Sequence, residues 1–136
     1  MGDSLTKTKN KELATVEGIL RKMSDEDEDN WLNQVYIQHS LSKIYTAQGR
    51  NIDNILAQYA SMYSAMSYIV DVFKATKGQP SKTNYIYIKA AAQIGILHSK
   101  DLGESDKTAH FSKTIAHSAK MADSIDEDAA SGMSIG

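Results

Sequence analysis

The chain has 136 residues and a mass of 15.0 kDa, the size of one ordinary domain, long enough to bury roughly two thirds of the surface its unfolded form exposes. The absence of cysteine excludes disulfides, thiolate metal sites and cysteine nucleophiles and fits a reducing compartment, and the single proline, Pro80, leaves little to break helices. A net charge of −2 hides an uneven distribution: residues 1–29 hold five Lys/Arg against eight Asp/Glu, residues 30–100 seven against two, and residues 101–136 three against seven, so a basic middle lies between acidic ends. No secretory h-region opens the chain and no run approaches the 18 or so consecutive apolar residues of a membrane span. The reading is an all-α, single-domain protein of the cytoplasm, or of a particle assembled inside the cell, with little to suggest a membrane partner.

In chain order, the first helix is predicted over 10–23, where Leu13, Val16, Ile19, Leu20 and Met23 recur at helical spacing, and residues 1–9 are expected to be an extended tail. Ser24 is placed as the cap of the second helix, with "DEDED" (Asp25 to Asp29) in its first turn, where negative charge meets the positive end of the helix dipole. Gly49 ends that helix near Gln48. Trp31, Leu32, Val35 and Tyr36 mark one of its faces and Ile37, Leu41, Ile44 and Tyr45 another, which predicts neighbours on two sides.

The third helix is the clearest element. Asn51 is a plausible cap, and Ile52, Leu56, Tyr59, Tyr63, Met66, Val70 and Phe73 alternate spacings of four and three, a heptad seam. Adding Ile55, Met62 and Ile69 widens the apolar face to roughly 140°, taking about 100° per residue. The other side carries small or weakly polar residues where a solvated face would carry Lys and Glu: Ala57, Ala60, Ser61, Ser64, Ala65 and Tyr68 form a candidate packing face. Small residues let another backbone come close, so residues 52–77 are expected to be the long central helix of a bundle of about five, the small face packing inside the same chain in preference to docking on another.

"KGQPSK" (Lys77 to Lys82) is a loop, with Gly78 after the helix end and Pro80 forbidding continuation. Residues 84–100 carry a strand-like start, Tyr85 to Ile88, ahead of an alanine run; helix is preferred because a lone strand has no partner. A last helix is predicted over 106–126, with Phe111, Ile115, Ala119, Ala122 and Ile125 inward, followed by an extended tail over 128–136.

Motif by motif, the chemistry of an enzyme fails to assemble. "GMSIG" (Gly132 to Gly136) spells a nucleophile elbow, but that turn needs a strand before the serine and a helix after it. Counted from Asp25, a calcium loop needs glycine sixth and glutamate twelfth, and those positions are Asn30 and Tyr36. His39, His98, His110 and His117 are scattered, the closest pair seven apart, where zinc sites on a helix use spacings of three or four. "KGQPSKT" lacks the first glycine of a phosphate loop. "MGDSLT" fits the loose N-myristoylation pattern, with Lys7, Lys9 and Lys11 following. No catalytic residue, cofactor site or metal site is assigned.

One group of residues points to a ligand. Arg50, Lys74, Lys77, Lys82 and Lys89 are candidate phosphate contacts, with Tyr85 and Tyr87 as candidate base-stacking residues. The competing reading makes these lysines favourable charges at a helix C-terminus and the tyrosines core residues. The sequence therefore predicts a non-enzymatic helical subunit that packs against copies of itself or a larger complex, as a coat or scaffold protein does. The alternatives are a small nucleic-acid-binding subunit contacting phosphates through the basic middle, and a membrane-apposed matrix protein resting on the Met1 to Thr6 pattern.

Overall fold

The computed structural model describes the backbone of residues 2–135 and the side chains of residues 4–125. It contains five helices: α1 (Gly2–Glu26), α2 (Trp31–Ala47), α3 (Asn51–Ala75), α4 (Lys82–Asp101) and α5 (Ser105–Ile135). No strand occurs among the described residues, and Tyr85 to Ile88 lie in the first turns of α4.

The helix boundaries follow local chemistry, with three departures from expectation. Ser24 does not cap α2; its hydroxyl donates to Gln34 Oε1 at 2.6 Å, and the cap is Asn30, whose side chain accepts from the Asn33 amide at 3.1 Å. Asp25 and Glu26 accordingly finish α1, and Asp27 to Asp29 form the turn, so no acid lies in the first turn of α2. Asn51 is the first residue of α3, while the cap position is held by Arg50, whose side chain makes no capping bond. The extended tails are absent over 2–9 and 128–135, which continue α1 and α5: residues 3–17 contain neither Gly nor Pro, and Thr8 Oγ1 returns to the Ser4 carbonyl within the helix. The turn from α3 to α4 takes two successive left-handed residues, Lys77 (φ 53°) and Gly78 (φ 78°). Ser81 then opens α4 with a reciprocal box, its hydroxyl accepting from the Asn84 amide and its own amide donating to Asn84 Oδ1, each at 3.1 Å.

Successive helices from α2 onward run antiparallel and pack as neighbours. Ser61 Oγ donates to the Val35 carbonyl at 2.8 Å between α2 and α3, Gln58 Nε2 donates to Asp101 Oδ2 at 3.0 Å between α3 and α4, and Phe111 of α5 rests on Gly95 of α4. α2 also touches α4, so α2, α3 and α4 enclose the centre, with α5 against α4 and, among the described residues, α1 packed on α2 and tied by Glu17 to Arg50 at the start of α3. The main core is Val35, Met62, Ala65, Ile69, Tyr85, Ile88, Ala91, Ala92 and Phe111, and Ile115, Ala122 and Ile125 of α5 pack against it. A smaller cluster of Ile37, Leu41, Tyr45 and Ala57 receives Leu20 from α1. Within α3 the small face points inward: Ala57, Ser61, Ser64 and Ala65 are buried, while Ala60 and Tyr68 are half-buried at its edges.

Candidate interaction surface

Burying the small face of α3 turns its heptad seam outward. With alanine and serine at the contact, α2 and α4 occupy the inner side of α3, and of the seam opposite Tyr59, Met66 and Phe73 reach the core while the others stand outside it. Ile52 is 76 % exposed, Leu56 62 %, Tyr63 and Val70 48 % and Ile55 45 %, while Tyr59 and Met66 are half-buried between them. Within α3, therefore, Ile52, Leu56, Tyr63 and Val70 of the seam face water, while the small residues join Met62 and Ile69 in the core.

The outward face is held in shape. Tyr59 and Tyr63 stack with ring centroids 6.1 Å apart and planes 17° off parallel. Tyr59 Oη donates to Glu104 Oε1 at 3.2 Å, and Lys107, 3.4 Å from the same carboxylate, sets its ammonium 5.8 Å from the Tyr63 ring centre. The hydrogen bond to the Glu104 carboxylate raises the Tyr59 pKa and keeps the phenol a donor. Trp31, at the start of α2, stands beside the C-terminal half of the seam, and together with Tyr63, Met66, Ser67, Val70 and Asp71 it lines a groove of about 320 Å³.

A second apolar stripe runs along α1. Leu20 and the half-buried Leu13 belong to its docking side, whereas Leu5, Val16, Ile19 and Met23 are exposed, Leu5 at 74 %. α1 is fixed near its C-terminal end by a charged cluster. Glu17 accepts from Arg21 Nε at 2.7 Å and from Arg50 Nη1 at 2.6 Å, Arg50 Nε reaches Asp53 at 2.9 Å, and both guanidinium groups lie by the Tyr45 ring, 5.8 and 4.5 Å from its centre.

This arrangement bears on the candidate phosphate contacts. Arg50 is engaged by two carboxylates and an aromatic face, leaving it no free fork for a phosphate. Tyr85 is 2 % exposed, edge-on to Phe73 and His117 at 6.2 and 5.8 Å, and presents no ring face to a base. The core reading holds for it, because the first turn of α4 points it at α3 and α5. Tyr87 is exposed. Lys74 and Lys77 are exposed at the end of α3 and in the following turn, whereas Lys82 and Lys89 are half-buried in a separate groove between α4 and α5 that also contains Asp123. The five basic residues form no continuous track.

The structure makes one pairing that spacing could not reveal. His39 of α2 and His98 of α4, 59 residues apart, meet with Nδ1 and Nε2 at 2.8 Å. Burial, and then the neighbouring His39 and Lys43, push the His98 pKa down to about 4 against the opposing pull of Asp101, and burial lowers that of His39. Two imidazoles in this geometry share one hydrogen bond in which one ring donates to the other. No third metal-ligating side chain joins them among the described residues. The signal is the α2–α4 contact itself, which no local pattern encodes.

The myristoylation pattern and "GMSIG" fall mostly on residues whose side chains lie outside the described set, although the backbone of 132–135 continues α5 as helix. Among the described residues no helix is long and apolar enough to cross a membrane. Comparison of the chain with family models, with curated proteins and with solved structures finds no match.

Proposed function

We propose that the protein is a non-enzymatic helical assembly subunit, of the coat or scaffold kind, that packs against further protein, in the first place copies of itself, through apolar helix faces left open in the single chain. The observation that carries this reading is the exposed seam of α3, with Ile52, Leu56, Tyr63 and Val70 in line. Isolated exposed apolar residues are ordinary on a protein surface, but several in a heptad line are the signature of a face that expects another helix. The α1 stripe of Val16, Ile19 and Met23 supplies a second such face, and an extended assembly needs two.

Light scattering after size exclusion tests the reading. The protein is expected to elute as an oligomer at tens of micromolar, and Leu56→Glu, at a site 62 % exposed, is expected to dissociate it without loss of helical content. A wild-type monomer at that concentration would overturn the proposal. Adding a single-stranded oligonucleotide decides the nucleic-acid alternative, which predicts a mass shift that Lys74→Glu with Lys77→Glu abolishes.

A further inference from the structure

Resting on that reading, we infer that the occupant of the α3 face is α3 of a second copy, running antiparallel about a two-fold axis that passes between Tyr59 and Tyr63. The two halves of the face have opposite relief. The N-terminal half carries its most prominent side chains, Ile52 at 76 % and Leu56 at 62 % exposed. The C-terminal half carries the groove, about 320 Å³, between Trp31 and the Tyr63, Met66 and Val70 positions of α3. One surface thus holds both projections and a receptacle, separated along the helix by about 20 Å at 1.5 Å per residue.

An antiparallel pair sets the projections of each copy into the groove of the other, which is the self-complementary contact a two-fold axis requires. A parallel pair sets projection against projection and groove against groove. Heptad alternation fixes the register: Ile52 meets the partner's Val70, Leu56 meets the partner's Met66, and the stacked Tyr59 and Tyr63 meet their counterparts at the centre.

Charge and area point the same way. From Asn54 to Val70 the helix has no charged residue, and the charges that border the contact are Asp71 in the groove and the paired Glu104 and Lys107 beside the two tyrosines. Arg50 and Asp53, paired with each other, stand at one end and Asp71 and Lys74 at the other; antiparallel pairing brings groups of opposite sign together at each end, whereas parallel pairing sets Lys74 beside Lys74. The exposed parts of Ile52, Ile55, Leu56, Tyr63 and Val70 leave on the order of 500 Å² bare per copy, so a pair that covers all of it buries about 1,000 Å², the lower limit of a specific contact.

The chain has no cysteine, so single cysteines report orientation directly. Ile52→Cys and Val70→Cys variants, one of them ¹⁵N-labelled, are mixed, oxidised mildly and resolved by intact mass, with Leu56→Cys and Met66→Cys as a second pair and light scattering run on the same samples. The expected result, with scattering run in 1 M salt, is an apparent mass of at least twice 15.0 kDa and a disulfide-linked species containing one chain of each variant, with neither end position linking to itself. An Ile52→Cys homodimer as the main product overturns the antiparallel arrangement while leaving self-assembly standing. An oligomer in which neither pair links places the contact on another face, such as the α1 stripe, and overturns the inference alone. A monomer throughout overturns the inference together with the reading it rests on.

Discussion

A Cβ at Gly95 would lie 2.6 Å from Cζ of Phe111 and within 2.8 Å of both neighbouring ring carbons, so α4 and α5 stay at their present separation only because that position carries no side chain. Phe111 is fully buried, and its ring has little room to swing aside. Gly95→Ala gains up to about 1 kcal/mol of helix propensity but overpacks a tight core site, which typically costs about 1–3 kcal/mol. The expected net result is a lower urea midpoint with an unchanged slope, and a rise would show that the ring relaxes. The histidine pair makes a second prediction at this scale. An unfolded histidine titrates near 6.5, whereas folded His98 is held down to about 4. The unfolded chain therefore takes up a proton that the folded one resists, so this contribution is complete above about pH 6.5 and is lost as the pH falls toward 4. Denaturation midpoints measured across that window should decline with acid, and His98→Gln should flatten the slope. A wild-type profile already flat between pH 6.5 and 4 would mean the pair is solvated.

Among the elements, α3 separates what periodicity encodes from what it leaves open. Helix at Tyr85 to Ile88, whose spacing also fits a strand, rested on the lack of a partner strand, whereas the heptad of Ile52, Leu56, Tyr59, Tyr63, Met66, Val70 and Phe73 and the small face of Ala57, Ser61, Ser64 and Ala65 were readable from spacing alone. Which face of α3 turns inward was not, because two apolar or uncharged sides satisfy the same pattern and the choice depends on how close α2 and α4 can come. The cap of α2 was missed for a related reason: α1 runs on through Glu26 and keeps Ser24 inside it, so Asn30 holds the cap position. The two faces of α3 should respond oppositely to one substitution. Ser64→Lys places an ammonium at a site only 6 % exposed and is expected to cost more than about 3 kcal/mol or to prevent folding. Val70→Lys, at a site 48 % exposed, should shift monomer stability by no more than about 0.5 kcal/mol. Urea melts followed by circular dichroism distinguish them, and equal effects would refute the assignment of inside and outside.

For the whole molecule, two kinds of contact are available, and they respond oppositely to salt. The charge division along the chain, acidic before residue 30 and after residue 100 and basic between, favours a repeating contact in which an acidic end of one copy meets the exposed Lys74 and Lys77 of the next. Charges that close only in the assembly are screened once the Debye length falls from about 10 Å at 0.1 M to about 3 Å at 1 M salt. The α3 face contains no charge between Asn54 and Val70, and an apolar contact there does not weaken with sodium chloride. Raising salt should therefore act on the charged contact alone: species larger than a pair at 50 mM should shrink at 1 M to a two-chain unit where the charged ends join the pairs, and should persist where the α1 stripe joins them. Adding Leu56→Glu at 1 M should then release the single chain, since that site lies on the apolar contact alone. Light scattering at the two ionic strengths, with and without the substitution, gives the four masses needed. If 1 M salt alone yields single chains, the charged ends hold the assembly and the α3 face does not.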